Sequence, residues 1–406
     1  MQIFFACSRL NEGNRSDPKF GLRKHLDLGS GSIEYGTATL RTPQNLAFPS
    51  QTTVGTQYRD LIKSNTDQWH LSRTGFVGCF SEDDLLEKAR NCHGKICVYI
   101  HGYDKTFDEA LQDTAMLAAD YTQYAAEKNG FLPVLFSWPS CGERSKYSED
   151  EASIEWSQKA FDQFMCRLLK EKNPDCTLDV VAHSMGNRLI FNFLTHEHSQ
   201  AKPWLKNLFL CAGDIDFHAV EAERERLESC VSGMVYIFVS DKDRPLIMSQ
   251  YLHGDPRLGR PIDPPGGNTS PDAGKNSSSL PKKQEAGISG KLMSTDFWKN
   301  LTLDAAEIWL APSFTDTPDV LAWLKKNPSL DREFGEKTRL LDVSELSISN
   351  LGHAVAWPII SSIMAGNMDF PQLKGRVVHK RPDKNYIEQC GGKPLVLYRY
   401  TRFDPF

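Results

Sequence analysis

The stretch Cys176-Thr177-Leu178-Asp179-Val180-Val181-Ala182-His183-Ser184-Met185-Gly186-Asn187 decides how this chain is read. Its first half is short and β-rich, and the run that follows, Asn187 to Leu194, is too apolar to be anything but buried. Between them stands a serine with a small residue two places before it, Ala182, and two places after it, Gly186. That spacing fits a sharp strand-to-helix turn, where a strained backbone lifts the serine hydroxyl above the sheet and only small neighbours are tolerated. The backbone N–H of the next residue, Met185, then faces the position where an oxyanion would develop. Small-x-Ser-x-Gly is common by chance, so its meaning depends on the segments around it.

Those segments alternate. Ile96 to Ile100 is a continuous apolar run of the kind that fills a parallel strand buried on both faces. It ends at His101-Gly102-Tyr103, and a helix is expected next, with Phe107, Ala110, Leu111, Ala118 and Tyr121 on one face, ending near Gly130. Pro133 to Trp138 reads as a strand, Glu151 to Lys172 as a long amphipathic helix, and Asn207 to Ala212, Val235 to Ser240 and Thr338 to Val343 as strands, the last being the final clear one. The expected fold class is α/β: a mostly parallel, twisted sheet with helices on both faces. Residues 1–90 read as an N-terminal extension packing on that sheet, with Met1 to Cys7 an edge strand and Ile33 to Leu40 strand-like, antiparallel pairing among the options. Residues 91–375 form the expected catalytic domain and 376–406 a C-terminal extension. From 261 to 290 the chain is rich in Pro, Gly, Ser, Asn and Lys, which reads as a disordered insertion before the last strand or a lid. The apolar, Trp-bearing stretch Leu301 to Trp323 reads as helical and as a cap for a pocket.

Composition narrows the function classes. The chain has 406 residues, 40% of them hydrophobic, enough for a large core. No apolar run reaches the ~20 residues of a membrane span, and the opening residues lack the basic start of a signal peptide. A net charge of −5 with both signs interspersed gives no basic stripe for nucleic acid. Ten cysteines are scattered; Cys92 and Cys97 lie close in sequence, but no second pair completes a zinc site. Cys97 and Cys211, inside apolar strands, read as buried thiols. A reducing, cytoplasmic setting without metal or cofactor is the expectation, and the sequence does not specify a partner protein.

His101 to Tyr103, Phe136-Ser137-Trp138-Pro139-Ser140, Ala182 to Asn187, Ser240 to Asp243 and Arg257-Leu258-Gly259 follow one another in this order. Together they resemble the α/β-hydrolase superfamily, and more narrowly a mainly bacterial branch of uncharacterised members, over roughly residues 90–260 and again 342–358. The insertion after Gly259 is longer than that branch needs, and Pro245 stands where a small residue is usual. The resemblance implies the α/β-hydrolase fold, ester hydrolysis, and the chain order serine, acid, histidine. A serine hydroxyl needs a base in reach and a third group to orient that base. Ser184 is therefore the candidate nucleophile and His353, in Asn350-Leu351-Gly352-His353 before an apolar helix, the candidate base; His218 and His253 fit less well. Asp243 is the candidate acid, with Asp241, Asp214 and Asp216 open as alternatives. The backbone N–H groups of Met185 and Tyr103 are the candidate oxyanion hole. His101 and His183 read as braces, and Trp138 as packing or a pocket wall. The expected activity is hydrolysis of a carboxylic ester or thioester of a small molecule or lipid through an acyl-enzyme. Acyl transfer by the same machinery and a non-catalytic binding or scaffold role stand as alternatives, as does partner docking by residues 261–290.

Overall fold

The computed structural model describes residues 2–14, 17–24, 32–40, 76–80, 82–125, 130–196, 203–240, 243–260, 337–342, 353, 355, 357–366, 377–379 and 397–400. They belong to one compact unit, Met1–Pro261 with Pro328–Phe406; a second unit, Ile262–Asn327, lies outside the described residues. So do residues 261–290, Leu301 to Trp323 and Asp241.

In chain order the elements are β1 (Gln2–Cys7), β2 (Arg9–Asn11), β3 (Phe20–Lys24), β4 (Glu34–Thr39), β5 (Phe76–Phe80), α1 (Glu82–Arg90), β6 (Lys95–Ile100), α2 (Phe107–Tyr124), β7 (Phe131–Ser137) and α3 (Tyr147–Glu171). There follow β8 (Thr177–His183), α4 (Asn187–Thr195), β9 (Leu208–Cys211), α5 (Phe217–Ala222), α6 (Arg224–Ser229), β10 (Val235–Val239), α7 (Arg244–His253), β11 (Thr338–Asp342), α8 (Trp357–Met364), β12 (Val377–His379) and β13 (Leu397–Tyr400). Among the described residues one sheet has eleven strands in the order β12-β13-β11-β10-β9-β8-β6-β7-β1-β4-β5. Neighbours from β13 to β1 pair in parallel, and β12, β4 and β5 are antiparallel additions at the two margins. The α/β-hydrolase expectation of a mostly parallel sheet therefore holds.

The apolar runs explain the layering. Every residue of β6 is buried, and so are the last six of β8, because helices cover both faces. On one face Tyr99, Leu135, Val181 and Phe209 share a core with Phe107, Leu111, Trp357 and Ile360 from α2 and α8. On the other, Phe136 stacks on Phe164 of α3 and meets Phe161 edge-on, and Phe161 meets Phe193 of α4 edge-on. α2 starts cleanly because Thr106 and Glu109 form a reciprocal capping box.

Two readings of the sequence change. Met1 to Cys7 is not an edge strand: β1 lies between β7 and β4, parallel to one and antiparallel to the other. Its five buried residues after Gln2 are consistent with that interior place. Nor is β11 the last strand. β13 pairs beside it and β12 beyond; both are too short, and too crowded by turn residues, to stand out by periodicity.

The strand order reverses around β6. β7 lies on one side of it and β8 on the other, so the loops leaving the C-terminal ends of β6 and β8 flank a crevice. In open α/β sheets that switch point is where ligands bind.

Candidate active site

Ser184 stands at this switch point, just past the end of β8. Its φ is +53°, a left-handed value that a side chain adopts only under strain. The next two residues continue a single 3-10 turn into α4. Gly186 must lack a Cβ, because one there would lie 2.5 Å from the carbonyl oxygen of His101 and 2.9 Å from that of Ile100. The elbow is also tied from below: the Asn187 side-chain amide donates to the carbonyls of Ser184 (2.8 Å), Ala182 and Cys211, and Asp214 N–H donates to Ser184 O at 3.0 Å.

The loop after β6 lies directly against the serine. A Cβ on Gly102 would come within 2.7 Å of Ser184 Cβ and 2.9 Å of His183 Nδ1, so only glycine allows this approach. That contact brings the segment carrying Tyr103 beside Ser184, while Met185 follows it in the 3-10 turn. The loop has its own support. Trp138 N–H donates to His101 Nε2 (3.1 Å), which makes Nδ1 the protonated nitrogen, donating to Gly102 O at 2.8 Å. The Trp138 indole stacks on the His101 ring and donates to His101 O at 2.8 Å. Burial, then the nearby Arg9 charge, holds His101 far below the ordinary histidine range, so it stays a neutral brace. Trp138 is fully buried and takes the packing role.

Asp243 and His353 come together. Asp243 Oδ2 lies 2.8 Å from His353 Nδ1, while its Oδ1 accepts from Leu246 N–H at 3.0 Å and caps α7. Pro245 sits in the first turn of α7, where a missing N–H costs nothing. The carboxyl is fully buried, and burial raises its pKa despite the attraction of His353. For His353 burial opposes the charge, but the Asp243 carboxylate and the bond to it outweigh burial and hold the imidazole above its ordinary range. Val355 and Trp357, buried in the core beneath α2 and α8, anchor the chain just after the histidine. The His353 ring packs on His183, beside the serine, with centroids 4.9 Å apart. Among the described residues neither nitrogen of the buried His183 has a hydrogen-bond partner; burial, then the His353 charge, keeps it neutral.

The alternatives are engaged elsewhere. Asp214 is buried against Arg188, Arg257, Ser249 and the Tyr147 hydroxyl (2.5 Å). Burial raises its pKa, but Arg188 and the hydroxyl donors more than compensate and leave it below the ordinary range. Asp216 caps α5 by accepting from His218 N–H at 2.9 Å. His218 meets Glu221, and His253 holds Glu151 and the Ser249 carbonyl. Among the described residues no group of three or more His, Cys, Asp and Glu side chains is placed to hold a metal ion.

Sequence reasoning missed the deepest support. Arg9, fully buried at the start of β2, donates to Ser137 Oγ (2.9 Å), Ser140 O (2.9 Å), Lys105 O (2.8 Å) and Gly21 O (3.3 Å). Burial pulls its guanidinium down to about 10, so it remains charged at neutral pH. Asp150, buried on α3, accepts from Ser140 Oγ (2.6 Å), Cys141 N–H (2.7 Å) and Asp104 N–H (3.3 Å). Together they clamp the loops after β6 and β7. A charge just past the apolar run Ile3 to Cys7 was the available signal for Arg9; Asp150 is one acid among several at a helix start and gave none.

The family described as "alpha/beta hydrolase of unknown function (DUF900)" matches residues 80–298, more than half of the chain, and the protein belongs to it. An uncharacterized protein of Nostoc sp. is 29% identical over 126 residues, covering 26% of this chain and 32% of the relative, so the chain spans about a third of that relative's length. No solved structure matches. No helix of the described residues is long and apolar enough to cross a membrane.

Proposed function

We propose that this α/β-hydrolase family member cleaves carboxylic ester or thioester bonds of a small-molecule or lipid substrate through an acyl-enzyme on Ser184. The observation that carries the reading is the 2.8 Å contact of His353 Nδ1 with the buried Asp243 carboxylate, in a histidine that packs against the residue preceding the strained serine. With Nδ1 committed to Asp243, Nε2 is the nitrogen that takes the Ser184 proton as Oγ attacks the carbonyl carbon. General-base assistance of this kind contributes about 10²–10⁴ in rate. Asp243 holds the productive tautomer and stabilises the imidazolium. The N–H groups of Met185 and Tyr103 receive the oxyanion, and one such donor is worth roughly 10²–10³. The imidazolium then protonates the leaving alcohol or thiol. Next, His353 deprotonates a water that attacks the acyl group, and Ser184 regains its proton as the acid departs.

A panel of p-nitrophenyl esters of rising chain length tests the proposal. Wild type is expected to turn over at least one of them with burst kinetics, and Ser184→Ala to show none above background. Turnover retained by Ser184→Ala would overturn it.

A further inference from the structure

At the end of the sheet away from Ser184, two cysteines face one another. Cys92 lies in the turn between α1 and β6, and Cys176 in the turn before β8. Their sulfurs are 3.2 Å apart, at positions 84 residues apart in sequence. Both turns are held in place independently of the thiols. Asn173 N–H donates to Ala89 O (3.0 Å), Thr177 N–H to Gly94 O (3.1 Å), and parallel pairing of β6 and β8 begins at Lys95 and Thr177. The pair lies just under the surface: Cys92 stands between exposed Asn91 and His93, and Cys176 follows exposed Pro174 and Asp175. A disulfide needs sulfurs about 2.05 Å apart, so closure calls for a small side-chain rotation between anchored turns.

The geometry points to Cys92 and Cys176 as an oxidation site, at which a peroxide joins the two thiols in a disulfide. The local chemistry favours Cys92 as the attacking group. A hydrogen bond from Cys176 pulls its thiol below the ordinary range against the effect of burial, with Gly94 N–H and His93 assisting. Cys176, as the donor, moves the other way. In other buried thiols burial prevails: it pushes Cys7 up to about 12 against the pull of Arg9 and Ser137, and holds Cys97 well above its usual value. Low thiolate pKa and a resolving neighbour are what make one cysteine reactive among many. In the reaction the Cys92 thiol gives up its proton and the thiolate attacks one peroxide oxygen, breaking the O–O bond; a sulfenic acid forms, and the departing hydroxide takes up that proton as water. The Cys176 sulfur then displaces hydroxide from the sulfenic sulfur. Two thiols and one hydrogen peroxide give one disulfide and two waters. The site is separate from the proposed chemistry, because β6 and β8 run their whole length, about 3.3 Å per residue, between the cysteine turns and the loops bearing His101 and Ser184.

The test treats the native full-length protein with graded hydrogen peroxide, blocks remaining thiols after unfolding, and maps non-reduced peptides by mass spectrometry. The expected result is a peptide pair joining Cys92 to Cys176, short of two hydrogens and released by dithiothreitol, formed at doses below those that oxidise the exposed Cys166. The oxidised protein should also melt at a higher temperature, since a cross-link over a long loop restricts the unfolded chain. Cys176→Ser should instead leave a sulfenic acid on Cys92 that dimedone traps. Full alkylation of both cysteines at doses that oxidise Cys166, or cross-linking of Cys92 to a different cysteine, would overturn the proposal. The wild-type cross-link decides it even where the variant fails to fold.

Discussion

Asp243 has two oxygens with two partners, His353 and the first turn of α7. Asp243→Asn keeps the shape but allows the wrong imidazole tautomer, and kcat for ester hydrolysis should fall by roughly 10⁴. The pH profile supplies an independent reading. The protonated imidazole cannot accept the serine proton, so kcat/KM should rise with pH through the His353 pKa, which Asp243 holds above the ordinary 6.5. In Asp243→Asn the charge that raises it is gone, and the residual activity should rise at lower pH than in wild type. Steady-state rates from acid to mildly alkaline pH check both shifts. Asp214 serves a different purpose. Asp214→Asn leaves Arg188 and Arg257 short of a countercharge in a buried site, and urea denaturation should show a loss of about 3–5 kcal/mol, the usual result of breaking a buried pair from one side. At this scale the proposed nucleophile was legible because an elbow is a local pattern: Ala182, Ser184 and Gly186 announce it. The proposed acid, Asp243, was not separated from its alternatives, since Asp214, Asp216 and Asp241 also follow strands in the sequence. What separates them is Arg188, Arg257, Tyr147 and His353, brought in from distant parts of the chain.

The elements around the site depend on close backbone approach and on one buried cation. Gly186→Ala would press a methyl group against the carbonyls of Ile100, the last residue of the central strand β6, and of His101, which follows it and cannot yield freely. The variant should lose about 1–3 kcal/mol, seen as a lower thermal midpoint. Arg9→Met removes the donor for Ser140 O and Lys105 O and so unties the loops after β6 and β7 from β2. It should lower kcat more than it raises KM, because the loop it braces carries Tyr103, the proposed oxyanion donor. Arg9→Lys should not restore activity, since an ammonium cannot span these acceptors as a planar fork does. Steady-state kinetics on the soluble fraction of each variant check this. Helices α2 and α3 were legible from apolar spacing, and α4 from the elbow that precedes it. The clamp was not, because nothing local to Arg9 or Asp150 reveals that their side chains meet the same pair of loops.

Across the whole molecule, β1, β4 and β5 extend the sheet beyond the strands that lie inside the family match. β1 and β4 continue it past β7, and β5 closes that margin. A chain lacking residues 1–79 would expose β7 as a long apolar edge and lose Arg9, so size-exclusion chromatography should show aggregates in place of a discrete species. The parallel core was readable from Ile96 onward because strands buried on both faces are unbroken apolar runs. Strand neighbours were not: the same apolar stretch at Phe4 to Cys7 suits an edge or an interior place, and only its pairing with both β7 and β4 decides.

The central claim is that Ser184 is an activated nucleophile, and labelling by a fluorophosphonate probe tests it most directly, since the probe modifies reactive serines and ignores inert ones. Wild type should label stoichiometrically, Ser184→Ala not at all, and His353→Ala far more slowly. A folded wild type that does not label, or a Ser184→Ala variant that labels as wild type does, would contradict the account.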